Sequence, residues 1–345
     1  RKDIDTLIVS SESDFFTLQL NPSTVIADDL GLYNVEALRV EGGGASGQLA
    51  VHQGIKSILS NTSENVAVIG FDPSASNLPS ETVKKLYSYS FDAWTDGMNE
   101  VTATSLYALS IQIFMDETGL DENDLANLTI NNRNNACLNP GAHLKLKHTQ
   151  EEIINSPVIS SPYRRLHCSP LSDGAASIIL SNKISSKRKT APSIIGIGSA
   201  NDKVNLGARD EIGEFKSKKL AMKKACQMAQ VLPSEIGFAE VYDAYAGAQF
   251  QAINALGLSN NFLKDFRDGV FNLDGKLPIN ISGGLMGQGA PVGATGVGQT
   301  ATCAMVLEGN YHDKLQFSLI PKFALADTHG GVGTNAAVSI LQSNV

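Results

Sequence analysis

Three places in this chain carry residue types suited to chemistry. Tyr242, Asp243, Ala244 and Tyr245 follow a short apolar run. A tyrosine there can move a proton only if its surroundings pull its pKa of about 10 toward the working pH. The same residues could equally pack at a strand end. His329 abuts Gly330-Gly331, and its imidazole titrates near neutrality by default, which makes it the one histidine of the six kept as a candidate. Asn132-Arg133 offers a guanidinium that can grip a phosphate or carboxylate by paired hydrogen bonds, or close a loop salt bridge. Ser46 sits in the turn Gly44-Ala45-Ser46-Gly47, but a nucleophile elbow would need glycine where Gln48 stands, so helix capping or first-turn packing is its ordinary role. His52, His143, His148, His167 and His312 have no partner pattern and read as structural.

The densest signal is the stretch from Ile279 to Gly296, an apolar strand running into six glycines within fourteen residues: Gly283, Gly284, Gly287, Gly289, Gly293 and Gly296. Such density lets main chain approach a ligand or a neighbouring strand, so it marks a site or a tight packing contact. A helix from about Val297 to Leu307 follows, and its N-terminal amides would suit an anion or a polarised carbonyl oxygen. Gly293 to Gly298 does not have the spacing of a dinucleotide loop, and the chain has neither a phosphate-loop lysine nor a cluster of metal ligands in sequence.

The elements that must position these residues follow one grammar twice. In the first half, strands at 5–10 and 37–40 lead through the glycine turn at 41–47 into a helix whose Val51, Ile55, Ile58 and Leu59 form one apolar stripe, followed by a strand at 66–70. The second half reads strand at 238–241, helix around 249–256, strand at 279–281, glycine loop, helix, then strands near 317–320 and 323–326. Repetition of this order predicts a duplicated α/β unit, with a helical insertion at about 73–167 and a closing strand at 175–180. The insertion reads as helical at 83–86, over 99–118 and at 149–155, with a helix start at Asp121-Glu122-Asn123-Asp124. The predicted organisation is residues 1–184 as the first half, 185–192 as linker and 193–345 as the second half. The second half opens with a strand at 193–198 and a helix at 217–230 before its turn at Pro233, whereas the first begins at the matching turn, Arg1-Lys2-Asp3-Ile4. About 40 residues expected from the repeat are missing from view, the first strand and helix of the N-terminal half.

Composition narrows the function class. With 42% apolar and 18% charged residues the chain reads as an ordinary globular protein, and its net charge of -8 argues against a nucleic-acid surface, which needs a basic face. The only basic run, Lys187-Arg188-Lys189, reads as solvated linker. No segment reaches the ~20 apolar residues of a membrane span. Cys137, Cys168, Cys226 and Cys303 show no paired spacing and fit buried thiols in a reducing cytoplasm.

The segments "SGGLMGQGAPVGATG", "NNRNNACLNPGAH", "SPYRRLHCSPLSDGAASIIL" and "EVYDAYAGAQFQAINALGL" together resemble the thiolase superfamily, its sterol-carrier-type and archaeal acetyl-CoA acetyltransferase branch most. The resemblance implies a thiolase fold, two βαβαβαββ halves in a layered αβαβα arrangement, assembled as a homodimer and binding acyl-CoA, with no cofactor beyond the coenzyme A thioester. It also implies which positions should react. The family's nucleophilic cysteine falls on Gly44, its Gly-His-Pro histidine on Ala290, and its second cysteine on Thr328. Loss of a nucleophile in a serine protease lowers turnover on the order of 10^6-fold, so a covalent acyl-enzyme is not expected.

Two functional readings follow from the resemblance. Tyr242-Asp243 is similar to a branch that cleaves acyl-CoA side chains by retro-aldol chemistry, with Tyr242 and Asp243 catalytic, His329 assisting, and Ser46, Arg133, Gly284, Gly289, Gly293 and Thr295 holding substrate. Backbone donors around Gly289 would face the carbonyl. The alternative is a non-catalytic thiolase-fold subunit that binds acyl-CoA and a zinc-ribbon/OB-fold partner protein.

Overall fold

The computed structural model describes residues 3–92, 94–99, 101–183 and 190–344. The first half runs β1 (Thr6–Ser10), α1 (Asp14–Thr17), α2 (Pro22–Asp29), β2 (Glu36–Val40), α3 (Ser46–Leu59) and β3 (Asn65–Pro73). Between β3 and the closing strand lie α4 (Ser80–Ser88), α5 (Ala103–Thr118), α6 (Glu122–Leu138), α7 (Gln150–Ile154) and the small hairpin β4 (Val158–Ser160) and β5 (Tyr163–Arg164); β6 (Asp173–Ser181) then returns to the sheet. The second half is β7 (Ser193–Asn201), α8 (Lys216–Ala229), β8 (Phe238–Glu240), α9 (Ala246–Ala255), α10 (Phe262–Arg267), α11 (Gly284–Gln288), α12 (Val292–Leu307), β9 (Phe323–Gly330) and β10 (Asn335–Gln342).

Two four-stranded mixed sheets result, ordered β2-β1-β3-β6 and β7-β10-β9-β8. Strand β1 explains why the sequence shows no alternation there: Leu7 and Val9 pack toward α2, while Ile8 packs with Val51 of α3 and Val297 of α12. A strand buried on both faces reads as a continuous apolar run. Helices α3 and α12 lie together between the sheets, with α2 outside the first and α8 outside the second, which is the expected layered arrangement. The central helices cross at glycines. A Cβ on Gly47 would sit 2.7 Å from the Gly296 nitrogen, and one on Gly296 would overlap the Gln48 nitrogen. Around this crossing Gln48 donates to the Gly296 carbonyl and to Thr300, and accepts from Ser339, which also holds His52 at 3.1 Å.

The structure corrects several expectations. Residues 279–281 form no strand: Ile279 makes a single bridge to Ala239, and Asn280, at φ 53°, turns the chain away. The side chain of Asn280 replaces the ladder, accepting from the Val241 N–H at 2.7 Å. Residues 317–320 are also not a strand; Phe317 instead packs edge-on against Phe238. Helix α12 begins at Val292, five residues before the expected start at 297, because its glycines are buried by neighbours. Strand β10 and helices α1, α2 and α11 were not foreseen. Strand β10 pairs with β7 on its outer side, whereas the matching edge of β6 is unpaired among the described residues. Most of the expected linker, with Lys187-Arg188-Lys189, lies outside the described residues, as do Arg1 and Lys2.

Candidate functional site

Chain segments leaving the carboxyl ends of parallel strands β1, β2 and β8 meet at one cavity of about 150 Å³. Ligands of open α/β sheets bind outside such strand ends. Glu12 arrives after β1, Gly44 after β2, and Tyr242 and Tyr245 after β8; His329 comes from the end of β9, Ala290 from the glycine loop, and Tyr87 and Tyr107 from α4 and α5. The insertion therefore closes a cavity that the two sheets open.

Gly44 and Tyr242 define its floor. A Cβ on Gly44 would lie 2.7 Å from the Tyr242 hydroxyl and would overlap the His329 carbonyl oxygen. The space a side chain at position 44 would need is already filled by the phenol. His329 packs edge-on to the Tyr242 ring with centroids 4.8 Å apart. The Tyr107 hydroxyl donates to the Gly331 carbonyl at 2.5 Å, so it must accept from His329 Nε2 at 2.7 Å. That fixes the proton on Nε2 and leaves Nδ1, buried, without a partner. Burial, with Lys218 and Arg209 nearby, pushes the His329 pKa well below the usual imidazole value and keeps the ring neutral. Burial first, and then the Glu12 charge, raises the Tyr242 phenol well above its ordinary value. Beneath the floor Lys218 and Asp327 form a fully buried ion pair, and Asp327 also accepts from the Tyr242 N–H at 3.4 Å.

Several residues expected at the site lie elsewhere. Asp243 is fully buried and does not line the cavity; its carboxyl accepts from the backbone of Leu285 at 2.7 Å and from Asn132 at 2.9 Å, bracing the start of α11. Burial raises its pKa to about 8. Thr328 points to the opposite face of β9 from His329, as strand alternation requires, and its buried hydroxyl has no partner. Ser46 accepts from the Gly42 N–H and donates to the Gly43 carbonyl, pinning its own turn. Gly284 packs on the Asp243 carboxyl, and Gly289 faces His143 and Ser172. Thr295 donates to the Pro291 carbonyl one turn back. Arg133 is buried on α6, outside the cavity lining, and forms no ion pair among the described residues.

The anion expected at the α12 N-terminus is supplied by the protein. Asp72, on β3, accepts from the Gly293 N–H and from the Glu12 N–H, and burial raises its pKa to about 7. Those amides do not face a ligand. The Ala290 N–H is likewise taken, by Ser172 Oγ at 3.1 Å, so it donates to no substrate carbonyl.

Sequence reasoning missed Glu12, Tyr87 and Tyr107. For Glu12 the available signal was an acidic residue directly behind a buried strand, in Ser10-Ser11-Glu12. No cysteine lines the cavity; the nearest in sequence to a lining residue, Cys168, has its thiol pushed up to about 12 by burial. Among the described residues no cluster of metal-ligating side chains occurs, and no helix is long and apolar enough to cross a membrane.

Layered sheets around two glycine-crossed helices, with a cavity at their strand ends, define a thiolase-like protein. Residues 198–343 match the thiolase C-terminal domain-like family. The chain is 32% identical to an acetyl-CoA acetyltransferase of Methanothermobacter thermautotrophicus, across 98% of this chain and 88% of the relative, and 31% identical to one of Methanocaldococcus jannaschii, across 99% and 88%. A solved structure described as the Ltp2-ChsH2(DUF35) aldolase shares the fold with a TM-score of 0.83 at 21% identity, covering 99% of this chain and 88% of that one. The chain belongs to the thiolase superfamily, in the branch of archaeal acetyl-CoA acetyltransferases and sterol-carrier-type thiolases.

Proposed function

We propose that this protein breaks a carbon–carbon bond of a 3-hydroxyacyl-CoA by retro-aldol cleavage, without a covalent acyl-enzyme. The observation that carries this reading is the Tyr242 hydroxyl seated against Gly44, where a nucleophile's side chain would have to stand. A phenol there can give a proton to the carbon released from the broken bond, a step a thiolase assigns to sulfur chemistry. His329, neutral and with a free Nδ1, orients Tyr242 and lines the same cavity. Asp243 acts only by holding α11 in place. Of the substrate-binding set we retain Gly289, which adjoins the lining residue Ala290.

We extend the proposal to an acyl-CoA ligand, a homodimer and a partner of the DUF35 type, a zinc-ribbon/OB-fold protein. Support for the partner is the fold likeness to an aldolase whose description includes DUF35. A second reading, a non-catalytic acyl-CoA-binding subunit, is favoured by Ala290, which brings no imidazole to the cavity and whose N–H is already satisfied.

The test is product release. Incubation with a 3-hydroxyacyl-CoA should liberate a ketone or aldehyde, and Tyr242→Phe should lower the rate by about 10²–10⁴-fold. Acetyl-CoA or acetoacetyl-CoA should leave no acyl adduct detectable by mass; a stoichiometric adduct overturns the reading. Tight coenzyme A binding with no turnover of any such thioester leaves the subunit reading.

A further inference from the structure

Among the described residues Glu12 is the one acid lining the cavity, and the fold holds its carboxyl by a single long hydrogen bond. Its backbone is pinned, because the Glu12 N–H donates to both oxygens of Asp72 at 3.1 and 3.2 Å. One carboxyl oxygen accepts only a long hydrogen bond from Ser90 at 3.4 Å, and the other, Oε2, is buried with no partner. A buried, unpaired carboxyl oxygen costs stability unless something else is there to meet it. It stands where the inner cavity joins an outer groove, both of which also share Tyr87, Ser90 and Gly331.

We propose that Glu12 is the proton acceptor of this site, taking the proton of the substrate's 3-hydroxyl as the carbon–carbon bond breaks. This rests on the lyase reading above and completes it. The Glu12 carboxylate takes the hydroxyl proton, and the O–H electron pair becomes the new carbonyl of the leaving ketone or aldehyde. The C2–C3 pair passes to C2 as a thioester enolate, Tyr242 protonates C2, and the proton on Glu12 returns to the Tyr242 oxygen once the products part. One proton has moved from oxygen to carbon, and no oxidant or further reactant is needed.

The groups facing Glu12 are Asp72 from β3, Glu41 after β2, Tyr87 from α4, Tyr107 from α5, and Tyr242 with His329 across the cavity. Burial first, and then the like charges of Asp72 and Glu41, raise its pKa well above the usual carboxylate value. That moves its basicity toward the working pH, where a general base is most effective. Activity should therefore rise with pH along a limb displaced upward from the ordinary carboxylate range.

The experiment compares the full-length chain with Glu12→Gln and Glu12→Asp on 3-hydroxyacyl-CoA thioesters. Glu12→Gln is expected to lower kcat by about 10²–10⁴-fold with KM changed only a few-fold, and to abolish the acid limb of the pH profile. Glu12→Asp restores part of both, which a merely structural role would not. If the wild type cleaves substrate and Glu12→Gln matches it with the limb intact, the role of Glu12 is overturned while the lyase reading stands. If the wild type cleaves no such thioester, the lyase reading fails and takes this one with it. Infrared difference spectra of wild type against Glu12→Gln need no turnover and report where this carboxyl ionises; a Glu12 still protonated at the working pH, unable to accept the hydroxyl proton, overturns the proposal independently.

Discussion

The two central helices enter the molecule through equivalent glycine turns, yet their N-termini have opposite fates. At α3 the turn leaves Gly44 on the cavity floor, with the Tyr242 phenol pressed against it. At α12 the turn is plugged from the other half of the chain: Asp72 takes the Gly293 N–H, and Ser10 donates to the Gly293 carbonyl at 2.7 Å. The repeat supplies the same local device twice, and the surrounding halves decide which copy opens onto the cavity. A helix N-terminus is an anion site only while its amides remain unclaimed.

The comparison can be broken most directly at Asp72. Asp72→Ala would leave two buried N–H donors without an acceptor, and we expect a loss of about 2–4 kcal/mol in denaturant unfolding, with Glu12 displaced. An Asp72→Ala protein of wild-type stability would mean that α12 is not held by this carboxyl. Gly44→Ala tests the other turn and should cost about 1–3 kcal/mol through contact with Tyr242 and the His329 carbonyl. Combining it with Tyr242→Ala should recover part of that cost, a coupling of about 0.5–3 kcal/mol in a double-mutant cycle.

Buried carboxyls set a pH dependence. Asp243, raised to about 8, and Asp72 and Glu240, each raised to about 7, hold protons in the fold that the unfolded chain releases above about pH 4. Their contribution is complete below that unfolded value and is lost as pH rises through 7 and 8. Thermal stability should therefore fall from about pH 4 to about pH 8 and level off above that, with a shallower fall in Asp243→Asn; an unchanged slope in that variant would remove Asp243 from the account. The smallest effect is expected at Thr328→Val, which exchanges an unpartnered buried hydroxyl for a methyl and should be neutral or slightly stabilising.

Much of the architecture was legible in advance because it is written in local pattern. The apolar run of β1, the stripe on α3 and the Asp121 cap that opens α6 by accepting from Asn123 and Asp124 are decided within a few residues. Asn280 was not legible, since an asparagine with positive φ looks like any strand residue until its side chain is seen replacing the ladder. The candidate site divided the same way. Tyr242, His329, Gly44 and Ala290 were found by their place in motifs and do line the cavity, whereas Asp243, adjacent in sequence, points into the core.

What the chain's letters determined alone was the repeated grammar, the family and the positions where a thiol and an imidazole would be looked for. Short-range periodicity and glycine spacing carry the grammar, because both act within a turn or a strand, while the family and those positions are implied by the resemblance of whole motifs. Tertiary structure alone decided that the phenol of Tyr242 fills the space at Gly44, that Asp72 closes α12, and that Glu12 is left with an unmet oxygen in the cavity. Those contacts join residues from 60 to more than 200 positions apart, and no local preference reaches that far.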